Sequence, residues 1–262
     1  MTRMQWIIIA VFVGLFSLLY FGFDTKTPEQ ESLEKSRQLA AESASIEVLL
    51  KSAKESLSAP QSNDLLALET QLETTASDSA RAKILQQISG KWFEYGYPAI
   101  AGHYAERVAE LIGTEEAWSI TGTTFTLCVQ REDDPRIKDY CTDHAVQAFE
   151  SAISINPSNI AHKVNLALCY TENPPQDNPM RGILMLVELN KEFPDNVLVL
   201  NNLGRLAINT GQFDRALERL EKALSLEPEN TTSICLLSRA YEGVGQIEKA
   251  QQFRQKCEQL IN

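Results

Sequence analysis

Small residues recur along this chain in one phase, with a period of about 34 residues, and that periodicity confines the fold to an array of similar units. The clearest copy runs from Val197 to Asn230, with Leu200, Leu203, Gly204 and Ala207 in one cluster, Ala216, Leu220 and Ala223 in a second, and Pro228 after both. Gly204, Ala216 and Ala223 are small where two antiparallel helices must approach, and Leu203 and Leu220 fill the space beside them. Pro228 stops the second helix, since it donates no N–H and its ring clashes with the preceding turn. From Thr231 the pattern returns as Leu237, Ser238, Tyr241 and Ala250, with Gly245 and Gln246 at the turn where the previous copy has Gly211 and Gln212. Upstream it runs through Leu166, Ala167, Tyr170, Gly182, Leu186, Leu189 and Pro194, and before that through Trp118, Gly122, Phe125, Ala145, Phe149, Ala152 and Pro157. The earliest copy has Leu85, Ile88, Ser89, Trp92, Gly96, Ala101, Ala105 and Val108.

This register resembles the tetratricopeptide repeat (TPR). The resemblance implies an all-α solenoid of about five helical hairpins, at 82–114, 115–159, 160–196, 197–230 and 231–262, and it implies no chemistry of its own. It implies an inner groove that takes peptides, helices or partner domains. In the family that groove is lined by fixed positions of each first helix, which here include Gln86, Phe93, Glu94, Thr123, Asn201, Arg205, Ile208, Asn209, Arg239 and Glu242. Asn201, Arg205 and Arg239 are suited to holding a carboxylate or a backbone. They depart from the lysine and asparagine set by which some TPR proteins clamp a chaperone's carboxyl terminus.

Two consecutive copies carry extra residues in the turn between their helices: Val129 to Tyr140, and Thr171 to Pro179. In a solenoid the same turn of successive repeats projects from one edge, so the two loops are expected to form a continuous contact ridge. The first offers Arg131, Asp133, Arg136, Lys138 and Tyr140, and the second is stiffened by Pro174, Pro175 and Pro179. Across the first of these turns, antiparallel packing brings Cys128 near Cys141. They are read either as a disulfide formed in an oxidising compartment or as two small buried thiols. Cys169, Cys235 and Cys257 read as core or groove residues.

The other end of the chain is different in kind. Trp6 to Phe23 is eighteen residues without a charge, long enough at ~1.5 Å per residue to match a bilayer core. Residues 1–23 therefore read as an uncleaved transmembrane anchor, since no small-residue cleavage pattern follows as it would in a secretory signal peptide. Arg3 on one flank and Asp24, Glu29, Glu31 and Glu34 on the other place the amino terminus in the cytoplasm. For a bacterium the repeats then lie in the periplasm; the alternative is an organelle outer-membrane receptor with cytosolic repeats. Residues 24–81 read as an acidic helical stalk and capping hairpin, with Ile46, Leu50, Ala53 and Leu57 along one face and a break at Ala59 to Ser62. A dimerising coil is the competing reading of that stripe.

Catalytic patterns are absent from the sequence. Its three histidines form no HExxH, and there is no phosphate-binding glycine loop, no GxSxG and no second ligand pair beside Cys141 and His144. No metal, cofactor or small-molecule substrate is expected. A net charge of −11 disfavours nucleic acid and anionic lipid as partners. The functional expectation is a membrane-anchored, non-enzymatic scaffold that binds envelope proteins, accessory to export or folding, or presenting clients such as apocytochromes for maturation.

Overall fold

A computed structural model describes residues 4–6 and 46–261. The chain divides into two compact units, residues 1–49 and 50–262. Of the first, the described residues are a short helical stretch, Met4–Trp6, and the opening turn of the helix that begins at Ile46. The second is helical throughout its regular structure. In chain order the helices are α1 (Ile46–Ser56), α2 (Ala59–Thr74), α3 (Asp78–Glu94), α4 (Pro98–Ile112), α5 (Glu115–Arg131) and α6 (Pro135–Ile155). They continue with α7 (Ile160–Glu172), α8 (Arg181–Glu192), α9 (Val197–Asn209), α10 (Phe213–Leu226), α11 (Thr231–Gly243) and α12 (Ile247–Ile261).

From α3 onward the helices pair as five hairpins, each packed on the next, in the manner of a TPR-like solenoid. The first helices also touch in succession, α5 on α7, α7 on α9 and α9 on α11, so together they form one inner face. The boundaries have a local cause. Each of α7, α9 and α11 follows a Pro-x-Asn sequence, and the asparagine caps the helix: Asn159 accepts from the Ala161 N–H at 3.1 Å, Asn196 from Val199 at 3.1 Å, and Asn230 from Ser233 at 2.9 Å. Within three hairpins the turn is made by a glycine in the left-handed region, Gly96 at φ 88°, Gly211 at φ 71° and Gly245 at φ 77°.

Close approach sets the distance between paired helices. Gly122 on α5 lies under the ring of Phe149 on α6, so that a Cβ added there would sit 2.8 Å from two ring atoms. Phe149, Phe125, Ala145 and Ala152 fill the rest of that hairpin and are inaccessible to solvent.

Three sequence expectations change here. The eleven or so extra residues of the second hairpin do not form a loop: they lengthen both helices, to 17 residues in α5 and 21 in α6, and leave only Glu132, Asp133 and Asp134 between them. Asp134 starts α6 by accepting from the Arg136 N–H at 2.9 Å, with Pro135 in the first turn. Second, the break expected at Ala59 to Ser62 is the beginning of α2, with Pro60 in its first turn and the Ser58 N–H donating to Gln61 Oε1 at 3.0 Å. Third, the transmembrane helix is withdrawn from the fold. Among the described residues no helix is long and apolar enough to cross a membrane. Even the longest, α6, carries Arg136, Lys138, Asp139, Asp143 and Glu150. Residues 7–23 of the expected anchor, and residues 24–45 of the expected stalk, lie outside the described residues. The single-pass placement in a bacterial inner membrane, with a cytoplasmic amino terminus and a periplasmic array, conflicts with the lack of a membrane-spanning helix among the described residues and is not carried further.

The glycine at the α5–α6 contact gives a direct test. Gly122→Ala is expected to destabilise the protein by about 1–3 kcal/mol, because the Phe149 ring is enclosed and has nowhere to move. Gly90→Ala, in the interior of α3 with open space around the new methyl group, is expected to be neutral or to stabilise by up to about 1 kcal/mol. Urea midpoints of the two variants measure the contrast, and equal shifts would refute this account of the packing.

Candidate functional site

The inner face carries two clefts of different chemistry. The first, about 390 Å³, lies between the first two hairpins. Gln86 and Phe93 of α3, Val108 of α4, and Ile120, Thr124 and Leu127 of α5 line it. Ile120 is 51% exposed, a large share for an isoleucine held on a rigid helix. The Arg131 guanidinium sits over the Phe93 ring, 5.3 Å from its centre, at the edge of this cleft. The second, about 220 Å³, lies between α9 and α11 and is mixed, with Asn202, Arg205, Glu227 and Asn230 beside Val197, Leu198 and Leu236.

The expected groove residues fall into three groups. Gln86, Phe93, Asn201 and Arg205 line the clefts. Asn201 is only 4% exposed, however, and its amide is committed: it donates to Asn230 Oδ1 at 3.1 Å and accepts from the Ser233 hydroxyl at 2.8 Å. Arg205 faces Glu172 at 3.8 Å. Glu94, Thr123, Asn209, Arg239 and Glu242 are exposed, with Glu94 3.3 Å from Lys91 and Glu242 2.8 Å from Arg254. Ile208 is buried in the core shared by the last two hairpins.

Four of the eight residues of the expected loop ridge are helical. Arg131 ends α5, Asp133 lies in the short link, and Arg136, Lys138 and Tyr140 occupy the first turns of α6. Tyr140 packs edge-on to Phe125, with 6.0 Å between ring centres. Pro174, Pro175 and Pro179 lie in the irregular connection before α8. The two edges do meet: the Asn173 amide donates to Asp139 Oδ1 at 2.8 Å and to Thr142 Oγ1 at 3.0 Å.

Ile120, Thr124 and Leu127 were not singled out from the sequence, although their i, i+4, i+7 spacing on α5 marks one helix face. A second omission is covalent. Cys128 and Cys141 are joined by a disulfide across the long hairpin, with Cα atoms 6.1 Å apart, but so are Cys235 and Cys257, at 5.0 Å. Cys169 is buried and unbonded, and burial pushes its thiol up to about 11. Among the described residues no group of three or more His, Cys, Asp or Glu side chains is placed to hold a metal ion.

One polar cluster locks adjacent hairpins at the opening of α5. Glu115 accepts from Asn159 at 2.7 Å, from Asn156 at 2.9 Å and from His162 Nε2 at 2.7 Å. These hydrogen bonds, that of Asn159 first, hold the Glu115 carboxyl down at about 2. Because its folded value lies below its ordinary value of 4.5, the stabilisation it supplies is complete above that pH and disappears as the pH falls toward 2.

Comparison with known families agrees with the hairpin at residues 197–230. A tetratricopeptide repeat family model matches residues 197–230, the α9–α10 hairpin, so the chain carries at least this one repeat of that family. No curated protein matches the sequence. Among solved structures, a crystal structure of MamA is 19% identical, with coverage of 75% of this chain and 85% of the other and a TM-score of 0.35. MamA from Desulfovibrio magneticus RS-1, residues 41 to the end, is 17% identical, with coverage of 68% and 94% and a TM-score of 0.43. YrrB, a TPR protein with an unusual peptide-binding site, is 14% identical, with coverage of 74% and 92% and a TM-score of 0.38.

The Glu115 cluster predicts a pH signature. Glu115→Gln is expected to lower the urea midpoint at pH 7, and the gap from wild type is expected to close as the pH is brought from about 4.5 toward 2. A gap that stays constant across that range would show that the carboxylate charge is not what the asparagines hold.

Proposed function

We propose that this protein is a non-enzymatic interaction scaffold that takes a short apolar or amphipathic peptide segment of another protein on the inner face of its hairpin array. The observation that carries the reading is the cleft between the first two hairpins. It pairs exposed Ile120 with Phe93, Val108 and Leu127 on helices held rigid from behind by Trp92 and Phe125. Apolar side chains presented this way on a fixed scaffold lose little entropy when a partner covers them. The tetratricopeptide match at residues 197–230 supports the same class of role.

The finer roles of export or folding accessory and of presenting apocytochromes differ in what they ask of the array. Presentation of a client's terminal helix calls for an apolar inner face, and the α3–α5 cleft supplies one. The mixed cleft at α9–α11 is the secondary contact, where Arg205 and Asn202 line the opening while Asn201 is spent on packing.

A peptide-display selection on the full-length protein, followed by fluorescence anisotropy with the selected peptides, tests this. Ile120→Asp is expected to weaken binding at least tenfold with an unchanged circular dichroism spectrum, because the side chain is exposed and its removal costs the fold little. Undiminished binding by that variant would place the recognition surface elsewhere.

A further inference from the structure

The last helix is held to the array by less than any other second helix. In α10, Ala216, Leu220 and Ala223 are buried, and Phe213, Leu217 and Leu224 pack beside them. One repeat later, 34 positions on, Leu220 is replaced by Arg254 and Ala223 by Cys257. Only Ala250 of α12 is buried, and Phe253, stacked on Tyr241 with 5.4 Å between ring centres, adds the one large apolar contact. Ile247, Leu260 and Ile261 remain 53%, 45% and 68% exposed. The Arg254–Glu242 pair at 2.8 Å is exposed on both sides and contributes little. What completes the seam is the Cys235–Cys257 disulfide, which closes the α11–α12 hairpin.

The two disulfides differ in access. Cys128 and Cys141 have no exposed surface, enclosed by the extended α5–α6 hairpin. Cys235 and Cys257 are both partly exposed. Thiol–disulfide exchange requires a thiolate to reach a sulfur atom, so a reductant meets the second bridge first.

We infer that the Cys235–Cys257 bridge is a redox latch on the carboxyl-terminal helix, opened by a dithiol reductant while Cys128–Cys141 stays closed. One thiolate of the dithiol attacks a sulfur of the bridge and displaces the other cysteine as a thiolate. The dithiol's second sulfur then closes its own disulfide and releases the first cysteine. Cys235 and Cys257 are each left as thiols, and the reductant is oxidised by two electrons. With the bridge open, α12 keeps the buried Ala250, the Phe253–Tyr241 stack, the Lys249 ammonium over the Tyr241 ring and the exposed Arg254–Glu242 pair. Its release uncovers Leu237, Ala240 and Tyr241 of α11 and leaves the array with an unpaired end. The latch acts at the opposite end of the array from the α3–α5 cleft, so it stands or falls independently of peptide capture there.

The test uses the full-length protein, treated with graded dithiothreitol under native conditions, alkylated, and mapped by mass spectrometry beside hydrogen exchange. Cys235 and Cys257 are expected to be alkylated at least about tenfold faster than Cys128 and Cys141. Exchange in residues 247–261 is expected to rise by roughly 100-fold, the scale set by the entropy of opening a loop of this length. Residues 78–226 are expected to keep their protection. Cys257→Ser is expected to show the same local loss with no reductant. Simultaneous reduction of both bridges, or an α12 that keeps its protection once its own bridge is open, would overturn the proposal.

Discussion

Everything in the array depends on how closely two helices of a hairpin can approach, and that distance is set by missing atoms. Gly122 has no Cβ because the Phe149 ring occupies the space, and Gly204 has none because Leu220 lies there. Small residues at these points let large ones elsewhere interdigitate at crystal-like density. Ala145, Ala152, Ala216 and Ala223 repeat the device on the second helices and are fully buried. A period of about 34 residues follows, because each hairpin must present the same small face to its partner and the same remaining face to the next hairpin.

The apolar core continues across hairpin junctions, from α7 and α8 onto α9 and from α9 and α10 onto α11, and at two junctions polar contacts add a defined register. Asn230 serves two purposes there, since its side chain caps α11 and its Oδ1 accepts from Asn201 of the preceding hairpin. Glu115 does the same at the other end by gathering Asn156, Asn159 and His162 around one carboxylate. Apolar faces alone would tolerate a slip of one helix along another. Buried amides with committed donors and acceptors do not, since a slip would leave them unpaired at a cost of about 1–3 kcal/mol each. The one-dimensional array thus has an apolar core that crosses its junctions and polar contacts that fix the register there.

The hairpin pattern was legible in the sequence because small-residue spacing is a local property that survives without knowledge of neighbours. Pro157, Pro194 and Pro228 marked boundaries correctly, and the asparagine two residues after each was the further signal, since it is the cap. What depends on competition between local preferences was not legible. Val129 to Tyr140 contains Asp133, Asp134 and Pro135, which read as a loop, yet only three residues leave the helix because Cys128, Val129 and Cys141 are drawn into a buried hairpin interior. Trp6 to Phe23 read as a membrane span on hydropathy alone; residues 7–23 lie outside the described residues, among which no helix has that character.

The register of a repeat states where a side chain projects, but not whether it is available. Asn201 and Ile120 make the difference plain. The first stands at an inner-face position by the repeat pattern, and its amide is consumed by the next hairpin. The second was not singled out by that pattern, and it is half exposed beside Phe93 and Leu127. In the last hairpin the position equivalent to Asn201, 34 residues on, is Cys235, which bonds within its own hairpin to Cys257. The junction residue of one repeat thus becomes the closing residue of another. A repeat position carries a geometry, and what that geometry does is decided by the neighbour it meets.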